Sequence, residues 1–211
     1  MYDVDDPVLV RRTIRGHPLA TLVTNGPVVP LVTHLPVISP PGVPETEELV
    51  GRSLLGHMNR ANPHWKALKG GPPSVLVFTG PDGYVSPVLY AETPAAPTWD
   101  FVTVHVHGTI EPIDDSEATF DVVSSTASAL EADFGAGWSK RGSEDYFRKI
   151  LPAVGAFRLR VEHVYGMFKL SQEKSPEVRE NVRSHFASTG LRKHDELAVV
   201  MGDLTQRRDV Q

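Results

Sequence analysis

Seven short stretches of β type, cut apart by turn-forming residues, constrain this chain more than anything else in it. They are LATLVT (19–24), VPLVTHLPVI (29–38), SLLGHM (53–58), SVLVFTG (74–80), YVSPVLY (84–90), DFVTVHVHGTI (100–110) and VGAFRLRVEHV (154–164). Most are rich in Val, Thr or aromatic residues, and Gly, Pro, Asn or Asp stand at or near many of their ends. Asn25-Gly26-Pro27 between the first two has the punctuation of a hairpin. Helical patterns are fewer. Asp6-Pro7 and Asn62-Pro63 pair an N-cap with proline at the first helical position, ahead of Val8–Ile14 and of HWKAL. DSEATFDVVSSTASALEADF (115–134) is the longest helical candidate. Ser143-Glu-Asp opens another before Pro152, and Ser175-Pro176 opens a C-terminal one that stops near Gly190. Many strands with few helices predict a mainly β chain with helical additions, folded as a barrel. The Pro/Gly/Glu-rich stretch 40–52 reads as an exposed loop. A single domain over 1–211 is expected, with a helical C-terminal segment at about 175–205.

Composition narrows the chemistry. The chain has no cysteine, which removes disulfides, zinc ribbons, iron–sulfur clusters and a thiolate haem ligand. Its 21 basic and 26 acidic residues leave a formal charge of −5, a poor footprint for displacing counterions from nucleic acid. The basic runs Arg11-Arg12 and Arg207-Arg208 are short. No apolar run approaches the ~18 residues of a membrane span. The start MYDVDDPVLV is acidic where a secretory signal is basic, so a cytoplasmic protein is expected. The G-x-S-x-G, H-E-x-x-H and P-loop patterns are all missing.

Nine histidines are the main compositional signal. In Val102-Thr-Val-His-Val-His, strict alternation puts three valines on one face and Thr103, His105 and His107 on the other. Two imidazoles about 7 Å apart on one strand face can bind a metal or line a cofactor pocket; they can equally be the polar outer face of a half-buried strand. The densest stretch is Leu55-Gly-His57-Met-Asn59-Arg60-Ala-Asn62-Pro-His64-Trp65. A strand end leading into a helix N-terminus suits an anionic group, and Arg60 can fork onto a phosphate or carboxylate. The plainer reading makes Asn62 a cap, Trp65 core and Arg60 solvated. Phe78-Thr-Gly-Pro-Asp82-Gly-Tyr84-Val-Ser86-Pro87 and Pro97-Thr98-Trp99-Asp100 read either as loops without function or as hydroxyls and rings around a cofactor edge. Phe168-Lys169-Leu-Ser171-Gln172 follows the last predicted strand, with Lys169 able to pair an anionic group.

In order and spacing, LATLVT, THLPVI, LLGHMNRANPHW, VLVFTGPDGYVSP, PTWDFVTVHVHG and FKLSQ resemble the PaiB-type proteins, often labelled FMN-binding negative transcriptional regulators. The resemblance spans about residues 1–185 and implies a split β-barrel homodimer of the FMN-binding, flavin-reductase-related type. Within it the chain resembles a branch recruited as haem-dependent piperazate synthase, on small differences such as Asp82, Leu89 and Asn59. That branch implies haem b and a small amino-acid substrate: Nδ-hydroxy-L-ornithine would lose water as its α-amine attacks the hydroxylated nitrogen, giving L-piperazate. The alternative is an FMN-binding PaiB-type protein, flavin-reductase-like or regulatory. On the resemblance, His57 is the expected axial iron ligand, with His105 and His107 next. Arg60 and Lys169 would meet haem propionates or the FMN phosphate, with Asn59, Asn62 and Trp99 also at the cofactor. Tyr84, Ser86 and Thr98 would face the substrate.

Overall fold

The computed structural model describes residues 2–208 apart from Glu45, Glu47 and Glu92, and side chains up to Thr205. Two of those acidic residues belong to the predicted 40–52 loop, and the Arg207-Arg208 side chains likewise fall outside the description. Strands β1 (Asp3–Val4), β2 (Leu19–Thr24), β3 (Leu31–Ile38), β4 (Ser53–Asn59), β5 (Pro73–Val85), β6 (Thr98–Ile113) and β7 (Val154–Lys169) run in the sheet order β1-β7-β4-β3-β2-β5-β6. A further pairing of β7 with β6 closes six of them into an antiparallel barrel. The expected split-barrel class is therefore the observed one. The helices are α1 (Pro7–Gly16), α2 (Pro63–Leu68), α3 (Ser116–Phe134), α4 (Glu144–Ile150), α5 (Pro176–Ser188) and α6 (Arg192–Arg208).

Two compact units make up the chain, their boundaries falling inside β5, β6 and β7. One comprises 5–78 and 104–165, the other 1–4, 79–103 and 166–211. In the first, Leu22, Leu54, Leu76, Phe78, Val104, Phe157 and Leu159 are fully buried, the inward residues of alternating strands. Helix α3 packs on β3 and β4, where Val122 joins Ile113, Ala156 and the half-buried Leu55. In the second, Val85, Val102, Phe168, Val182, Phe186 and Leu197 are among the fully buried residues.

Local chemistry starts the helices where the sequence places them. Asp6 accepts from the amides of Val8 and Leu9 at 2.8 and 3.2 Å, Asn62 from that of His64 at 3.0 Å, and Asp115 from that of Ala118 at 2.8 Å. The Gly80-Pro-Asp-Gly83 stretch departs from the expectation of a turn. Strand β5 runs straight through it, and YVSPVLY is a strand only to Val85 before a 3-10 turn at Pro87–Tyr90. Packing explains the glycine: a Cβ on Gly83 would lie 2.5 Å from the Phe186 ring. Strands β6 and β7 are also longer than expected, so Thr98 and Lys169 are strand residues rather than loop residues.

Barrel closure needs a similar close approach at Gly108, where a Cβ would stand 2.1 Å from the Arg160 carbonyl oxygen. Backbone cannot swing aside as a side chain can. Gly108→Ala is expected to destabilise by about 3 kcal/mol, the upper part of the range for overpacking. Gly16→Ala, with nothing within 4 Å of the added carbon, should be neutral or stabilising by up to ~1 kcal/mol. Urea denaturation of the two variants checks the contrast.

Candidate functional site

The residues singled out in the sequence fall into two groups, one in each compact unit. The first is built where β4 runs into α2. His57 lies on the face of β4 that also carries Leu55, paired in register with Ala156 of β7. Its ring is half-buried, and Nδ1 is shut in without a hydrogen-bond partner among the described residues. Burial lowers its pKa, which keeps the imidazole neutral, the form that can donate a lone pair. Asn59 and Asn62 serve the backbone: Asn59 accepts from the Ala61 amide at 2.8 Å, and Asn62 caps α2 while donating to Thr33 at 3.3 Å. Arg60 donates from Nε to the Val154 carbonyl at 2.7 Å, with its guanidinium 5.5 Å from the centre of the Trp65 ring. Trp65 is core, and the indole occupies the space a Cβ on Gly155 would need.

His64 is a residue that sequence reasoning quoted but did not single out. It is buried, its Nδ1 is 2.9 Å from the Thr33 hydroxyl, and its Nε2 has no partner among the described residues. Burial lowers its pKa as well. The only sequence signal was its place after an Asn-Pro cap; the Thr33 contact spans 31 residues. On β6 the predicted alternation holds. Val102, Val104 and Val106 are fully buried, His105 is exposed, and half-buried His107 stands edge-on to Tyr165 at 5.1 Å between ring centres. Desolvation and then the charge of His107 lower the pKa of His105. Among the described residues, no cluster of three or more His, Asp or Glu could hold a metal ion. A lone imidazole such as His57 suits an iron whose other ligands come with it, not a bare ion.

The second group surrounds the start of β6 and the end of β7. Lys169 donates to the Thr98 hydroxyl, and its ammonium lies 6.0 Å from the Tyr2 ring centre. Trp99 and Tyr84, about half exposed, meet edge-on with centres 6.0 Å apart. Asp82 fixes that indole, accepting from Trp99 Nε1 at 2.9 Å and from Lys193 at 3.3 Å. Ser86 caps the 3-10 turn through the Val88 amide. Between Thr98 and the barrel valines sits Asp100, fully buried. One carboxylate oxygen accepts from the Ser171 hydroxyl at 2.7 Å, and the other has no partner among the described residues. Ser171 itself takes a left-handed conformation, φ 55°, unusual for a residue with a side chain. Burial above all, then the nearby Glu173, push Asp100 up to about 6, against the opposing pull of Ser171 and Lys169.

A family model described as "Putative FMN-binding domain" matches residues 1–163. The chain belongs to that FMN-binding family. The match stops short of Lys169 and Ser171, inside the span of about 1–185 read from the sequence. A protein of Bacillus subtilis named protease synthase and sporulation protein PAI 2 is 22% identical, covering 92% of this chain and 91% of its own. Two solved structures share the fold at 18% identity. The FAD and haem binding protein of Mycobacterium smegmatis has a TM-score of 0.56 over 80% of this chain and 74% of its own. The flavocytochrome Anf3 of Azotobacter vinelandii has 0.53 over 80% and 68%.

Asp100 has a measurable consequence for stability. The folded state holds its proton more tightly than the unfolded chain, whose carboxyl titrates near 3.8. Its ionisation therefore weakens the fold progressively from about pH 4 to about pH 6 and fully above that. Asp100→Asn should raise stability at pH 7.5 by on the order of 2 kcal/mol and change little at pH 4, measured by chemical denaturation at both values. The buried histidines act oppositely, because below about pH 6.5 the unfolded chain takes up protons that His64 refuses.

Proposed function

We propose that this chain is a flavin-binding protein of the PaiB type that works as a homodimer. The observation that carries the reading is the Tyr84–Trp99 pair, two half-exposed rings with the indole pinned by Asp82, in the same compact unit as the Lys169 ammonium. A fixed aromatic surface holds a flat ring by stacking, and a cation held by a hydroxyl can meet a phosphate. FMN, when bound, supplies reversible electron and hydride chemistry. The protein's part is to hold the ring at Trp99 and to meet its anionic tail with Lys169, which Thr98 orients. A second copy is favoured by the apolar outer residues of the β2–β3 hairpin, where Leu19, Val28, Val29 and Val32 are each more than half exposed.

A second reading is kept in play by His57. A neutral imidazole whose Nδ1 is sealed in and unpaired presents Nε2 as the nitrogen able to meet a haem iron. Haem b would supply a Lewis acid for an N–OH group. The activity would then be dehydrative cyclisation of Nδ-hydroxy-L-ornithine to L-piperazate, with one N–N bond formed, one N–O bond broken and one water released. Relatives of this fold are named for flavin and for haem, so the barrel is compatible with either.

The visible spectrum of the purified protein separates the two. Flavin absorption is expected, with FMN binding weakened about tenfold, ~1.4 kcal/mol, in Trp99→Ala and in Lys169→Ala, and unchanged in His57→Ala. A Soret band lost in His57→Ala but kept in His105→Ala, together with loss of one water from Nδ-hydroxyornithine by mass, would establish the haem reading instead. A colourless protein that takes up neither group on reconstitution would end both.

A further inference from the structure

The Asp100 carboxyl takes no part in holding a flavin ring, yet it lies against groups that do. Thr98 and Asp100 are two residues apart on β6, so they share one face at a spacing of about 7 Å. Thr98 accepts a hydrogen bond from the Lys169 ammonium. Ser171, two residues beyond Lys169, donates to Asp100 at 2.7 Å. The same two segments are therefore tied twice, once through a cation and once through an acid, and all four residues belong to one compact unit. Asp100 is fully buried, and its second oxygen has no partner among the described residues.

The charged and titratable groups that face Asp100 are Lys169 at the end of β7, Glu173 just beyond it and Tyr2 ahead of β1. Lys169 favours the ionised acid, and Glu173 opposes it. Tyr2 adds no charge, because burial above all, then its hydrogen-bonded neighbour Glu173, push the phenol pKa up. On β5, Asp82 is engaged by the Trp99 indole and Lys193. Helices α5 and α6 meet Gly83 of β5 with Phe186 and Leu197, which carry no charge.

Charge balance decides what this cluster accepts. With Asp100 ionised, Lys169 faces two carboxylates; with Asp100 neutral, it faces Glu173 alone. An anionic group arriving at Lys169 brings negative charge close to a buried acid, where Coulomb interactions are stronger than in water. It also offsets the cation that favours ionisation. Both effects favour the neutral acid. Linkage makes the effect reciprocal: an anion that helps Asp100 hold a proton binds more tightly when the proton is in place. We propose, resting on the reading that an FMN phosphate meets Lys169, that this site takes an anionic group and a proton together, with the proton on Asp100. The free acid titrates at about 6, so binding near neutral pH draws a proton from solution, and affinity falls as pH rises through that value.

The test follows the Asp100 carboxyl of the full chain by carbon-13 NMR, its signal assigned by loss in Asp100→Asn. FMN is expected to raise the titration midpoint by on the order of one pH unit. Riboflavin, which has the ring without the phosphate, should leave it in place. In the free protein, Lys169→Met should raise it by a similar amount, because the cation that favours ionisation is gone. From about pH 5.5 to 7.5, FMN affinity of the native chain should fall about fivefold relative to Asp100→Asn, a ratio in which the phosphate's own ionisation cancels. FMN binding with an unmoved midpoint, equal movement by riboflavin, or a flat affinity ratio overturns the proposal and leaves the flavin reading standing. An unmoved midpoint in folded Lys169→Met overturns it whichever group the barrel holds. Absence of FMN binding at both pH values removes the flavin reading, and the proposal falls with it.

Discussion

Everything in this protein is arranged around the seam where β6 meets β7 and the sheet becomes a closed barrel. At that seam the strands approach so closely that position 108 has no room for even a methyl group. Closure satisfies the backbone groups that an open sheet would leave along its edges. It also sorts the side chains of β6, sending the valines inward and His105 and His107 outward. Only with that sorting imposed do the candidate residues have defined surroundings.

Those surroundings treat ionisable groups in opposite ways. Burial keeps His57 and His64 neutral, and a neutral imidazole with an unpaired nitrogen is a latent ligand or hydrogen-bonding group. Burial also holds Asp100 protonated further toward neutrality, with one oxygen tied to Ser171 and one idle. A water-excluding barrel can carry such groups because its hydrophobic core offsets their desolvation. The Asp100–Ser171 bond also anchors a residue in a disfavoured backbone conformation directly after β7. Lys169 therefore leads into a tethered segment.

Much of the fold was legible because the signals are local. Asp6-Pro7, Asn62-Pro63 and Ser175-Pro176 start helices through hydrogen bonds spanning two or three residues. The period of two in 102–107 named the buried face of β6 before any strand partner was known. Gly80-Pro-Asp-Gly83 misled for a related reason. Its composition favours a turn locally, but the demand comes from Phe186, about a hundred residues away. The caps among the candidate residues, Asn59, Asn62 and Ser86, sat in positions where their side chains could serve the nearby backbone.

Element type, strand faces and the cast of chemically able side chains are thus properties of chain order, since propensity, capping and alternation act over a few residues. Partnership is not. Asp100 meets Ser171 across 71 positions, Arg60 meets Val154 across 94, and Arg15 meets Asp133 across 118. Whether a carboxyl is solvated or sealed, and whether two charges meet, follows from which strands and helices pack together. Burial and long-range electrostatics exist only once the chain has closed on itself.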